Sequence, residues 1–129
     1  MVAVDTNVLV RLLTRDDEPQ YRASRQLFSH ESIYIPDTVV LETEWVLRFA
    51  YELGPTEVCE ALRAVFGLGN VMLADAESMS RALVWHESGL DFADALHLAQ
   101  SQGQAALKTF DTQFVRRAKG LGKCPVEKL

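Results

Sequence analysis

The chain has few cysteines, no long apolar run and no N-terminal signal segment. Cys59 and Cys124 stand far apart and lack the paired spacing of a zinc or thioredoxin-type site. No window approaches the roughly 18 continuous apolar residues that a membrane span needs, and the N-terminus lacks the regions of a signal peptide. We therefore expect no structural disulfide, no contact with a membrane and a cytoplasmic location.

Lysine is absent from the first 90 residues, which carry 14 acidic residues against 7 arginines. Residues 91–129 reverse this balance with 6 basic and 4 acidic residues, so the formal charge of −5 is unevenly spread. An acidic chain that binds a polyanion must use a local basic patch or metal ions, because phosphate contacts are largely electrostatic. The candidate patch, which is equally compatible with a solvated helix face, consists of Arg116, Arg117, Lys119 and Lys123.

The remaining composition is that of a globular protein, with 48% apolar and 24% charged residues among 129. We expect a single domain over residues 1–129. Apolar patterning predicts strands at about 2–4, 32–35, 71–73 and 105–110, with a possible edge strand near Val126 and helices between them. This alternation predicts an α/β fold, a three-layer sandwich in which helices flank a mostly parallel central sheet of four to five strands.

Two aspartates come directly after predicted strands. Asp5 follows the apolar run Val2–Val4, Asp111 follows the run that ends at Phe110, and a predicted helix follows each of them. Because ligand sites of open parallel sheets lie beyond the carboxyl ends of the strands, we expect both side chains at one edge of the sheet. Aspartate is also a favoured helix N-cap, so each residue alone has an ordinary structural explanation.

Two further acids lie on predicted helices. Glu42 lies in an apolar segment that is wide enough to bury part of its side chain, and a buried carboxylate needs a partner. Glu44 is the competing candidate, and we predict that it points outward and pairs with Arg48 at i,i+4. Asp94 is the third residue of a helix that Asp91 caps, so a capping role is its alternative.

The joint pattern of these four acids favours a metal site. Acids that share a pocket with little nearby lysine or arginine repel one another, which is costly unless a cation fills the pocket. Oxygen-only ligands select Mg²⁺ or Mn²⁺, and the chain has no His/Cys cluster for zinc and no EF-hand spacing for calcium. It also lacks a P-loop and a nucleophile-elbow serine. We therefore expect a Mg²⁺ or Mn²⁺ site built from Asp5, Glu42, Asp94 and Asp111.

Four segments resemble the motifs of the PIN-domain family and, within it, of the VapC-type toxins of prokaryotic toxin–antitoxin pairs. The likeness covers essentially the whole chain. Val4–Leu9 looks like the first motif, and Pro36–Leu47 looks like the second, with Glu42 in the acidic position. Phe92–Ala99 is similar to the third motif and Thr109–Phe114 to the fourth. The third and fourth motifs together are specific, whereas the first is short.

The resemblance implies a metal-dependent endoribonuclease that hydrolyses RNA phosphodiester bonds with a metal-activated water. Asp5 and Asp94 would be the principal ligands, Asp111 a direct or water-mediated ligand, and Glu42 a ligand or the base. Many members carry a further acid where this chain has Gln113. Supporting hydroxyl or amide groups would come from Thr6, Asn7 and Thr109, and contacts to RNA from Arg11, Arg15, Arg116, Arg117 and Lys119.

The resemblance also implies protein partners, namely a cognate antitoxin whose C-terminal segment would lie in the groove and a second copy in a homodimer. Two alternatives stay open: a PIN-type nuclease that acts in RNA processing or on DNA without an antitoxin, and a non-catalytic PIN-like binding module. His97 follows Asp94 by one turn but is more typical of a packing or surface residue. Trp45 and Trp85 could stack on bases, although core or interface packing is favoured.

Overall fold

The computed structural model describes the whole chain, Met1 to Leu129. It contains seven helices and five short strands. The chain divides into two compact units, Met1–Ala74 and Asp75–Leu129. None of the helices combines the length and the apolar character that crossing a membrane requires.

The first unit is built on a three-stranded parallel sheet. Strands β1 (Val2–Ala3), β2 (Ile33–Tyr34) and β3 (Val71–Met72) lie in the order β1-β2-β3. Parallel neighbours need a crossover connection, and helices supply it here. The four helices of this unit are α1 (Thr6–Thr14), α2 (Glu18–His30), α3 (Asp37–Phe49) and α4 (Pro55–Phe66).

Capping side chains set where the first helices begin. Asp5 caps α1, where its Oδ1 accepts a hydrogen bond from the N–H of Val8 at 3.2 Å. Asp17 caps α2 in the same way, accepting from the N–H of Gln20 at 3.1 Å. Because caps of this kind satisfy otherwise unpaired N–H groups, they fix the helix starts. Helix α1 packs against both α2 and α3, and the fully buried side chains of this unit include Leu9, Ile33, Ile35, Val40, Leu47 and Leu62.

The second unit combines a helix pair with a small sheet. Helices α5 (Ala76–Glu87) and α6 (Phe92–Ala99) pack against each other, and their contact buries Met79, Leu83, Phe92 and Leu98 almost completely. Strands β4 (Leu107–Thr109) and β5 (Val126–Lys128) pair in parallel, and helix α7 (Thr112–Arg117) connects them. An ion pair of 2.6 Å between Lys108 and Glu127 links residues that are directly opposite in this pairing.

The predicted α/β class, the parallel pairing and the number of strands are confirmed. The five strands pair as a sheet of three and a sheet of two, however, and not as one continuous central sheet. Helix α6 ends at Ala99, and the side chain of Gln102 turns back and donates to the carbonyl of Leu98 in its last turn at 3.0 Å. The single domain over residues 1–129 stays a prediction.

Candidate metal centre

In the first unit, a hydrogen bond joins the start of α1 to α3. The hydroxyl of Thr6, which is buried, donates to Oε1 of Glu42. Since Asp5 immediately precedes Thr6, this contact brings Glu42 to the end of α1 that Asp5 caps. Both carboxylates are exposed and therefore accessible to a cation. Asn7, also predicted as a supporting residue, is exposed at the same end of α1.

The helical phase of α3 differs from the prediction. Glu42 is exposed, whereas Glu44, predicted to point outward, is 2% exposed. The predicted pairing of Glu44 with Arg48 is present, with Nε of Arg48 donating to Oε2 of Glu44 at 2.8 Å. The buried residues of α3 are Val40, Thr43, Glu44 and Leu47, so the Glu44 carboxylate is buried while its partner Arg48 is partly exposed. This ion pair explains how the carboxylate is accommodated away from water.

In the second unit, Asp94 lies in a cluster of negative charge. Its side chain is partly buried on the first turn of α6, and its N–H donates to the capping carboxylate of Asp91 at 3.2 Å. Burial raises the pKa of Asp94, and the nearby carboxylates of Asp91 and Asp111 raise it further. The exposed His97 acts on this pKa in the opposite direction. Asp94 is thus a carboxylate with excess negative charge around it, which a bound cation would relieve.

Asp111 is held in a tight turn at the end of β4. Its Oδ1 accepts from the N–H groups of Gln113 at 2.9 Å and Phe114 at 3.1 Å, so it caps α7. The N–H of Asp111 donates to the hydroxyl of Thr109 at 3.0 Å. Thr109 therefore has the supporting position predicted for it. Capping uses one carboxylate oxygen of Asp111, and the other has no protein hydrogen bond.

The predicted basic residues fall into two groups. Arg11 forms an ion pair with Asp16 at 2.7 Å, and Arg15 forms one with Glu18 at 3.1 Å. The charges of these two arginines are therefore already compensated within the first unit. In the second unit, Arg117 donates to the carbonyl of Gly89 at 3.4 Å, whereas Arg116, Lys119 and Lys123 are exposed and form no ion pair.

The donor chemistry of these groups suits a hard divalent cation. The side chains that converge in each unit carry carboxylate and hydroxyl oxygens and no thiol, which is the ligand set of Mg²⁺ or Mn²⁺. In neither unit do three His, Cys, Asp or Glu side chains gather closely enough to hold a metal ion by themselves. The structure thus brings Thr6 to Glu42, and Asp94 to Asp91 and Asp111.

The two tryptophans differ in exposure. Trp85 is buried, in agreement with core packing, whereas Trp45 is 54% exposed and its ring contacts that of Phe49, with centroids 4.9 Å apart, so interface packing of Trp45 stays a prediction. The sequence interpretation also treated Asp91 only as a cap, although its charge acts directly on Asp94. The sequence did contain a signal for this proximity: Asp91 is three residues before Asp94, and the side chain of an N-cap lies over the first turn of its helix.

Comparison with known proteins places the chain in a family. Among solved structures it is similar to the crystal structure of Mycobacterium tuberculosis VapC20, a toxin that cleaves the sarcin–ricin loop, with 21% sequence identity and a TM-score of 0.44. That alignment covers 97% of this chain and 99% of the other. No curated protein sequence matches the chain significantly. The model of the PIN domain matches residues 2–120. Since this match spans nearly the entire chain, the chain belongs to the PIN-domain family.

Proposed function

We propose that this chain is a metal-dependent endoribonuclease and the toxin of a toxin–antitoxin pair. The observation that carries the proposal is the match of the PIN-domain model to residues 2–120. All four acids of the motifs are present within that range, at Asp5, Glu42, Asp94 and Asp111. A binding module that had lost catalysis would have no reason to keep all four.

The proposed ligands of Mg²⁺ or Mn²⁺ are these four carboxylates. Asp5 and Asp94 would be the principal ligands, Asp111 a direct or water-mediated ligand, and Glu42 a ligand or the base. The raised pKa of Asp94 supports its part, since burial and two neighbouring carboxylates disfavour its charge until a cation is bound. The carboxylate oxygen of Asp111 that accepts no hydrogen bond supports its part as a direct or water-mediated ligand.

A bound divalent ion supplies a water of lowered pKa and stabilises negative charge on the phosphate. The protein supplies orientation and a proton acceptor. The hydroxyl of Thr6 donates to Glu42, so it fixes the direction in which that carboxylate can accept a proton from water. The hydroxyl of Thr109 likewise fixes the backbone at Asp111.

RNA would approach through the basic residues of the second unit. Arg116, Arg117 and Lys119 are exposed, and none of them forms an ion pair with a protein acid. Arg11 and Arg15 stay candidates, but contact with RNA would compete with their pairs to Asp16 and Glu18. Electrostatic attraction of phosphate is therefore expected chiefly from the first three residues.

The cleavage assay with purified protein tests the enzymatic proposal. RNA should be cut in Mg²⁺ or Mn²⁺ and left intact in EDTA, and Asp94→Asn should abolish cutting. Asp75→Asn is the matched control, because Asp75 also caps a helix of the second unit, accepting from the N–H of Ser78 at 3.0 Å, but lies outside the motifs. Cutting that persists in EDTA, or in Asp94→Asn, would refute the mechanism.

Expression in a bacterial host tests the toxin proposal. Induction of the chain alone should arrest growth, and co-expression of a small protein encoded next to it should restore growth. The same arrest must be absent for Asp94→Asn. Robust RNA cleavage by the purified protein combined with harmless expression would assign the chain to RNA processing instead. Sedimentation of the purified protein would test the homodimer that the proposal also includes.

A further inference from the structure

Phe110 is the most exposed of the large apolar side chains in the structure. It is 75% exposed, more than Leu129 and Met1 at the ends of the chain. It lies inside the chain, between Thr109 and Asp111, in the connection from β4 to α7. The ring is therefore in contact with water and available for contact with another molecule.

The backbone on both sides of Phe110 is fixed. On one side, the N–H of Leu129 donates to the carbonyl of Thr109 at 2.9 Å, and Thr109 pairs with Lys128 in the small sheet. On the other side, Asp111 bonds to the hydroxyl of Thr109 and caps α7. A ring projecting from such a turn is preorganised for contact, which reduces the entropy lost on binding.

Along the chain, the residues next to Phe110 are polar and those that follow are increasingly basic. The residues next to it in sequence are Lys108, Thr109, Asp111, Thr112 and Gln113, none of them apolar. Three exposed cations that form no ion pair follow: Arg116 near the end of α7, and Lys119 and Lys123 after it. The first of these cations, Arg116, lies about 6 Å along the helix axis from Thr112 at the start of α7.

This combination fits a nucleic acid better than a protein. The centre of a protein interface is an apolar patch with few charges, whereas the exposed charged residues Lys108 and Asp111 lie within two residues of the ring. Single-stranded nucleic acid is bound by isolated aromatic rings that stack on bases, together with cations that follow the phosphates. Residues 110–123 carry both an exposed aromatic ring and exposed cations.

We propose that Phe110 stacks on a base of single-stranded RNA while Arg116, Lys119 and Lys123 contact its phosphates. The inference rests on the proposed function for the choice of RNA. It adds a residue that touches the substrate and lies next to Asp111 in the chain. Because every base has a face on which a ring can stack, this contact contributes affinity with little preference for sequence.

Binding of RNA to the uncleaving Asp94→Asn protein tests the stacking contact. The probes are short single-stranded RNAs that carry 2-aminopurine at successive positions, and its fluorescence falls when it stacks. We expect quenching at one or two positions. Adding Phe110→Ala should remove the quenching and weaken binding roughly tenfold. Phe110→Trp should retain both, and Phe49→Ala, which removes a ring 59% exposed in the first unit, should change neither.

The salt dependence of the same binding tests the phosphate contacts. Lys119→Ala with Lys123→Ala should reduce the slope of log K against log salt by about 1.4. The matched control removes the exposed Arg22 and Arg25 of α2 and should leave the slope unchanged.

The outcomes separate this inference from the proposed function. RNA cleavage in Mg²⁺ with no effect of Phe110→Ala on binding or fluorescence would overturn the inference and leave the nuclease intact. Stacking that depends on Phe110 in a protein that cuts no RNA would support the inference and refute the nuclease. If Phe110→Ala changed only the sedimenting mass, the ring would be a protein contact and the inference would be wrong.

Discussion

The carboxyl group of Asp94 is partly buried beside Asp91 and Asp111, and these surroundings raise its pKa. The folded protein therefore disfavours this charge relative to the unfolded chain. The penalty is absent below the unfolded pKa of about 3.9 and develops as the pH rises through the folded pKa. In EDTA, Asp94→Asn should thus raise the free energy of unfolding at pH 7, by on the order of 0.5 kcal/mol because solvent screens the site. Urea denaturation measures this gain.

Asp75→Asn is the control for that measurement. The pKa of Asp75 is lowered, first by the hydrogen bond from the hydroxyl of Ser78 and then by the bond from its N–H. Its charge stabilises the fold above the unfolded pKa, and this contribution is lost as the pH falls through the folded pKa. Asp75→Asn should therefore destabilise the protein at pH 7. If Asp94→Asn did the same, Asp94 would be an ordinary helix-end carboxylate.

Thr6 offers a second test at the scale of one residue. Thr6→Val keeps the shape of this buried side chain but removes the hydroxyl that donates to Glu42. We predict roughly tenfold slower RNA cleavage and a higher Mg²⁺ concentration for half-maximal activity, as is usual when the partner of a ligand is lost. Thr6→Ser should restore both. A purely structural role would lower stability without moving the Mg²⁺ dependence.

Among the elements, α3 contains a buried carboxylate. The side chain of Glu44 is 3% exposed, and that of Arg48, one turn later, is 38% exposed. Arg48→Ala should lower the unfolding free energy by about 2 kcal/mol, because the buried carboxylate of Glu44 loses its ion pair with the Arg48 guanidinium. Arg81→Ala, which breaks a pair of the same i,i+4 spacing with the 85% exposed Glu77, should cost under about 0.5 kcal/mol. Equal losses in urea denaturation would contradict the role of burial.

The segment after α7 is held by Gln102. Its Oε1 accepts from the N–H of Lys123 at 2.7 Å, and a Cβ added at Gly122 would lie only 2.3 Å from that oxygen. Gly120 also has a positive φ but has open space around it. Gly120→Ala should cost about 1 kcal/mol for its φ alone, and Gly122→Ala about 1 kcal/mol more for the displaced hydrogen bond. The extra loss should vanish in a Gln102→Ala background.

The order of the helices and strands could be predicted from the sequence because local chemistry determines it. Caps such as Asp5, Asp17 and Asp91 lie where helices begin, and apolar runs lie where strands form. The hydrogen bond of Gln102 to Leu98 in the last turn of α6 could not be predicted, since it depends on how the chain turns after the helix. The separation of the strands into two sheets is likewise a result of tertiary pairing, which no local pattern encodes.

For the whole molecule, the candidate ligands could be predicted from the motifs, but their environments could not. Glu42 and Glu44 are two residues apart on one helix and point about 200° apart around its axis, and the local sequence does not show which of them faces the core. The structure buries Glu44, which forms an ion pair with Arg48. The exposure of Phe110 could not be predicted from the sequence either, because a phenylalanine next to a strand is normally expected to be buried in the core.

For the whole molecule, we propose that the carboxylates of Asp5, Glu42, Asp94 and Asp111 bind a divalent cation. Calorimetric titration of Mn²⁺ or Mg²⁺ into the purified chain measures this binding. We expect saturable binding that each single Asp→Asn or Glu→Gln substitution at these positions weakens at least roughly tenfold, and that Asp75→Asn leaves unchanged. Binding that survives all four substitutions, or no binding by the unmodified chain, would contradict it.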